Sequence, residues 1–309
     1  MCSIDFKQKR INYLNNWPNV EPFEIEKQYD AMVKEVKKEN NTIFIPFTMR
    51  REDDANYNKA ISFIIDAIEE LERYPNYSFE FMFKAYDVFS KNIFAQNITE
   101  RSKWLCENKW SSFIESNSKL CEAVKGILEC IPMKACQYIY TRIYDRNSKA
   151  YKRVTTEFGG SIENEKRKNM ITSIESKYGY DYHSYNQTIR PASALYRFML
   201  RKDEIDVNGT KFSISMSDKL HFIMSGYLYT LRNDTMHGND ISITKSSKTN
   251  ISTYANNYYA FMFMYYLVII LIVSEYQHHY SEEVYKELAD NIVDNIELYK
   301  KLFGNHIGR

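Results

Sequence analysis

YYAFMFMYYLVIILIV, Tyr258 to Val273, decides the fold. No charge interrupts it, Asn256 and Asn257 precede it, and four tyrosines lie within it. As a helix it would reach some 24 Å at about 1.5 Å per residue, short of a roughly 30 Å hydrocarbon core. A helix apolar on every side needs protein or lipid around it, so this length predicts a central helix buried among others. A membrane-anchored effector is the minor alternative, and no membrane partner is expected.

Working outward, amphipathic helices flank that stretch. Leu220, Ile223, Met224, Tyr227, Leu228 and Leu231 recur at three and four residues, with Ser215 or Ser217 available as cap and Gly238 where a C-terminal glycine would stand. Downstream, Ser281, Glu282 and Glu283 open a helix carrying Val284, Leu288, Ile292, Ile296 and Leu302. Upstream, helices are expected over 24–38, 57–73 (ended by Pro75), 79–94, 102–113 and 193–199, with another over 121–144 bent at Pro132. Thr42 to Phe47 reads as a short extended piece or a buried connection. Asp203 to Phe212 reads as a small hairpin with Asn208-Gly209 at its tip. The expected architecture is an all-α helical bundle: a helical N-terminal region over 1–75, its role unassigned, and a helical domain over 76–309 with a basic insertion near 142–168.

Composition narrows the chemistry. The chain has 309 residues but only 9 glycines and 6 prolines, so neither GxxxxGK[ST] nor GxGxxG can be drawn and phosphate-loop enzymes are excluded. With 41 basic and 40 acidic residues, the net charge of +1 gives no whole-molecule field toward nucleic acid or anionic lipid. Any polyanion must be held locally. Within 142–168, Arg146, Lys149, Lys152, Arg153, Lys166 and Arg167 read as a solvated surface loop, with a phosphate-contacting strip as the alternative. Five cysteines without CxxC spacing suit a reduced, cytoplasmic setting and core positions, and MCSIDFKQKR lacks the apolar run of a signal peptide.

Of six histidines, His183, His278, His279 and His306 read as structural or solvent-facing. His221 lies eleven residues before Arg232, about 16 Å along a helix, too far to share a reaction centre with it. With no HExxH and no Cys/His quartet, no metal site and no cofactor is expected. What remains is Tyr227 to Asp240, YLYTLRNDTMHGND. Imidazole can act as base or acid near neutrality, and guanidinium offers permanent charge in a forked donor geometry. Arg232, Asn233 and His237 therefore suit RNA cleavage: His237 for proton transfer, Arg232 for charge on the phosphorane, and Asn233 to orient the ring or donate to the phosphate. Asp234 would repel the phosphate. On a regular helix Asn233 and His237 share a face, but Arg232 lies about 140° round from His237. Either the last turn loosens at Gly238, or the arginine folds over, or two chains complete one site.

The run LYTLRNDTMHG resembles the signature of the HEPN superfamily: an arginine, a polar residue, and a histidine with glycine behind it, here Arg232, Asn233, His237 and Gly238. The resemblance is strong over roughly 217–275 and architectural elsewhere, with 79–94 as a candidate opening helix. It implies a helical bundle that homodimerises to bring two motifs into one cleft, and a metal-independent endoribonuclease acting on single-stranded or loop RNA. It also implies a toxin or antiviral effector that can have an antitoxin or sensor partner. A non-catalytic RNA-binding or scaffold protein of the same superfamily is the alternative.

Overall fold

A computed structural model describes residues 6–160, 162–236 and 242–308. It opens with α1 (Phe6–Asn15), α2 (Glu24–Asn40), α3 (Ala55–Glu70) and α4 (Pro75–Ile93). A helical rod follows: α5 (Ile98–Trp104), a π-helical stretch (Leu105–Trp110) and α6 (Ser111–Glu115). Next come α7 (Ser118–Glu129), α8 (Met133–Ile143), α9 (Lys149–Thr155), α10 (Glu165–Tyr178) and α11 (Ile189–Arg201). The hairpin of β1 (Glu204–Val207) and β2 (Thr210–Ser213) leads into a second rod: α12 (Met216–Leu220), a π-helical stretch (His221–Leu228) and α13 (Tyr229–Met236). The chain closes with α14 (Ile251–Glu275) and α15 (Val284–Phe303). The fold is all-α, with one two-stranded sheet among the described residues.

α14 forms the core. Every side chain from Tyr254 to Val273 is buried, because α4, α8, α15 and the first rod cover it on all sides. Each fully buried aliphatic or aromatic side chain contributes about 1.5–3 kcal/mol. The helix is long and apolar enough to cross a membrane, but 94% of its most apolar window is covered by protein.

Buried tyrosine hydroxyls favour partners, and the Thr42–Phe47 segment supplies them to two on α14. Tyr258 donates to the Ile43 carbonyl at 2.5 Å, the Tyr265 hydroxyl accepts from the Phe47 amide at 2.7 Å, and Asn295 bonds both backbone groups of Ile45. Side chains thus satisfy this extended backbone in place of a sheet, as a buried connection requires.

Several boundaries differ from the sequence reading. Asp54 caps α3 by accepting from the Tyr57 amide at 2.6 Å, so that helix starts before Tyr57. Pro75 occupies the first turn of α4, where its missing N–H costs nothing. The helix expected over 121–144 is two helices, because Pro132 sits in extended backbone (φ −66°, ψ 149°) at the start of α8 instead of bending a continuous rod. The basic stretch 142–168 is not a solvated loop: α9 lies inside it, and Arg153 and Arg167 are buried. The hairpin follows expectation, pairing Ile205 with Phe212, with Asn208 and Gly209 both at positive φ (56° and 82°) as a type I′ turn demands.

Candidate functional site

Ser215 starts the second rod with a reciprocal cap: its hydroxyl accepts from the Asp218 amide while Asp218 accepts from the Ser215 amide. The rod is buried from Asp218 to Leu228 and emerges along α13, where Arg232, Asn233 and Asp234 become half-buried. Gly226 allows this rod to lie close to α9, since a Cβ there would meet Val154 Cγ2 at 3.2 Å.

Arg232 Nη1 donates to Asn233 Oδ1 at 3.0 Å, and its guanidinium carbon lies 5.7 Å from the Phe83 ring centroid on α4. No carboxylate pairs with Arg232 among the described residues. Glu80, Phe83, Lys84, Asp87 and Arg232 together line a cleft of about 50 Å3.

The acids around Arg232 are largely neutralised elsewhere. Asp87 pairs with the buried Arg101. Burial pushes the Glu80 carboxyl above its ordinary range, with Lys84 opposing the shift. Asp234 accepts from the Tyr138 hydroxyl at 2.5 Å and pairs with Arg142 at 2.5 Å, both on α8. One carboxylate of the motif is therefore drawn toward α8 while Arg232 packs toward α4. His237 and Gly238 lie outside the described residues, so the structure brings Arg232 and Asn233 together and does not describe their relation to the histidine.

Sequence reasoning missed Tyr138 and Arg142 as anchors for Asp234, and Phe83 as the surface under Arg232. They come from α8 and α4, remote in sequence, and no spacing rule connects them to the motif. The only hint was the aromatic density of 79–94.

A second polar cluster, with His221 buried and two half-buried glutamates, lies near the start of the rod. Ligand-capable atoms of Glu107, Glu157 and His221 lie within 4.8 Å of one another, a spacing that can hold a metal. The oxygens already have partners. Glu107 accepts from the Phe158 amide at 3.0 Å and lies 3.1 Å from His221 Nε2, while Glu157 pairs with Arg167 at 3.2 Å. Arg167 also reaches Asp218 at 3.5 Å and the Val154 carbonyl at 2.7 Å. A divalent cation would have to displace that guanidinium, so the group reads as an ion-pair network joining the rods. Burial and the Arg167 charge hold the His221 pKa down at about 3. The ring is accordingly neutral near pH 7, with Nε2–H donated to Glu107.

The basic strip is mostly engaged as well. Arg146 pairs with Glu175 at 3.1 Å, Lys166 pairs with Asp218, and Arg153 donates to Thr230 Oγ1 at 2.6 Å beneath the Tyr229 ring. These contacts leave little of 142–168 for a phosphate strip. The cysteines suit core roles, since Cys106, Cys130 and Cys136 are buried with thiol pKa values pushed up by burial. Comparison with family models, with curated proteins and with solved structures returns no significant match to the chain.

Proposed function

We propose that this protein is a HEPN-type endoribonuclease that cuts single-stranded or loop RNA without a metal, acting as a toxin or antiviral effector and working as a homodimer. The supporting observation is the state of Arg232: half-buried at a helix end, resting on Phe83 and Asn233, and free of any carboxylate pair among the described residues. Arg101 and Arg167 have carboxylate partners and the buried Arg153 is held by Thr230 Oγ1 and the Ser225 carbonyl, whereas the Arg232 guanidinium bonds only Asn233 among the described residues. A guanidinium held without a counter-charge suits one that meets an anion.

In this reading the substrate 2′-oxygen, losing its proton, attacks phosphorus in line. The P–O5′ bond breaks, and the departing oxygen gains a proton. His237 of one copy serves as base or acid, and the second motif contributes the complementary group. Arg232 stabilises the charge gathered on the phosphorane, and Asn233 holds the guanidinium in register through its 3.0 Å bond. Products end in 2′,3′-cyclic phosphate and 5′-hydroxyl. Loop RNA is favoured because splayed nucleotides reach the in-line geometry that an A-form helix forbids.

Purified protein incubated with structured and unstructured RNA in excess chelator should yield cyclic-phosphate fragments, and His237→Ala should abolish them with an unchanged melting temperature. Intact RNA across several substrates with the wild-type protein overturns the reading. Equal cleavage by His237→Ala would remove the histidine from the mechanism.

A further inference from the structure

The connection that follows the motif is gripped by the N-terminal helices. Lys245 Nζ lies 2.7 Å from both carboxylate oxygens of Glu26 and sits 4.7 Å from the ring centroids of Tyr13 and Phe23. Its carbonyl accepts from Arg10 Nη1 at 3.1 Å. Next to this grip, between α1, α2 and the α3–α4 turn, is a cavity of about 310 Å3. That volume falls at the small end of ligand sites, which run roughly 300–1,000 Å3.

The buried Tyr29 and the half-buried Tyr13 and Tyr74 give the cavity aromatic walls. Its carboxylates are each answered by a lysine from outside the lining: Glu26 by Lys245, Asp30 by Lys34 at 2.6 Å, and Glu72 by Lys37 at 2.6 Å. The lining Lys27 is answered by Glu21. Arg73, exposed at the rim, has no ion pair among the described residues. Once internal pairs are formed, what the site presents is aromatic surface, carboxylate oxygens with hydrogen-bonding capacity, and one uncompensated guanidinium.

We propose that this cavity binds a mononucleotide, with its base against the half-buried Tyr13 and Tyr74 and its phosphate on Arg73. Arginine forks match phosphate oxygens, and aromatic rings stack bases of any identity. A bare phosphate would leave the tyrosine-lined space empty, and a bare nucleoside would leave Arg73 without a counter-charge. Base amino groups or ribose hydroxyls can donate to the Glu26, Asp30 or Glu72 oxygens. Tyr13 and Glu26 belong both to the cavity and to the grip on Lys245, so occupancy is linked to the hold on residues 242–250. The proposal goes beyond the ribonuclease reading and does not depend on it.

Isothermal titration of the full-length protein with AMP, GMP, CMP and UMP tests it, with adenosine and inorganic phosphate as separate arms. At least one monophosphate should saturate and bind about tenfold or more tighter than adenosine or phosphate. Arg73→Ala should lose that advantage, and Arg73→Lys should recover part of it, both with the wild-type melting temperature because the side chain is exposed. Hydrogen exchange over 242–250 should change when the nucleotide saturates. No saturable nucleotide, or equal affinity in Arg73→Ala, overturns the site. Saturation with unchanged exchange over 242–250 overturns the link. RNA cleavage is not read in either measurement, so failure here and failure of the ribonuclease reading are separable.

Discussion

The helical rod from Met216 to Met236 carries ionisable groups at both ends, and the two ends could hardly differ more. Near its start, His221, Asp218 and the Arg167 packed against them are sealed, each held by named partners. Toward its far end Arg232 is half-buried and its charge is unanswered among the described residues. Residue type alone does not separate the two sites, since both combine arginine with histidine or carboxylate. What separates them is whether the protein has already satisfied the charge. Where it has, the groups stabilise packing; where it has not, a ligand can still do so.

Substitutions at the open end should alter chemistry without altering stability. Arg232→Ala should lower RNA cleavage by about 10²–10³-fold, the usual cost of removing a group that stabilises transition-state charge. Its melting temperature should stay near wild type, because the side chain is only half-buried. Arg232→Lys should fall between, keeping the charge but losing the fork. A fully active Arg232→Ala would erase the contrast between the two ends. At the closed end the reverse holds. Arg167→Met leaves the buried Asp218 with less compensation, since only Lys166 and the Ser215 cap remain. Breaking such a pair costs about 3 kcal/mol or more. Urea denaturation reads this directly, and a loss below about 1 kcal/mol would show that the network is not a stability element.

How much of this was legible beforehand follows the same division. α14 was readable because sixteen uncharged residues admit few environments, and the hairpin was readable because Asn208-Gly209 suits two successive positive-φ positions. α1 was not anticipated, and it buries no side chain of its own, so no apolar stripe announces it. In the sequence Pro75 reads as a stop and Pro132 as a bend, yet both begin helices. A proline signals a boundary while leaving its side undecided. Arg232 and Asn233 were legible as a motif, whereas Tyr138, Arg142 and Phe83 were not, because they approach only through tertiary packing. The basic residues of 142–168 misled for the same reason: their partners Glu175, Asp218 and Thr230 are distant in sequence.

The closed end also predicts a pH response. His221 titrates near 6.5 when unfolded and near 3 in the fold, where burial and the Arg167 charge disfavour the imidazolium. Between those values the unfolded chain binds a proton that the folded protein does not. Stability contributed by the neutral ring is therefore complete above the unfolded pKa and falls by up to about 1.4 kcal/mol per unit as pH drops below it. Denaturation midpoints measured from pH 7 to pH 4 should decline with that slope, and His221→Gln should flatten it. An equally steep decline in the variant would assign the effect to other groups.

The smallest expected effect lies beside the open end, at Tyr138. Its hydroxyl donates to Asp234 at 2.5 Å, while burial and that carboxylate push its own pKa upward, so it remains a donor throughout the working range. Tyr138→Phe removes one hydrogen bond but leaves Asp234 paired with Arg142 at 2.5 Å. The stability cost should be about 0.5–1.5 kcal/mol. If the bond to α8 holds the rod's end so that Arg232 presents toward α4, cleavage should also fall, modestly and through kcat instead of KM. If the bond serves packing alone, stability drops and kcat does not. Measuring both in Tyr138→Phe decides whether the open end is positioned by the α8 contact or only bordered by it.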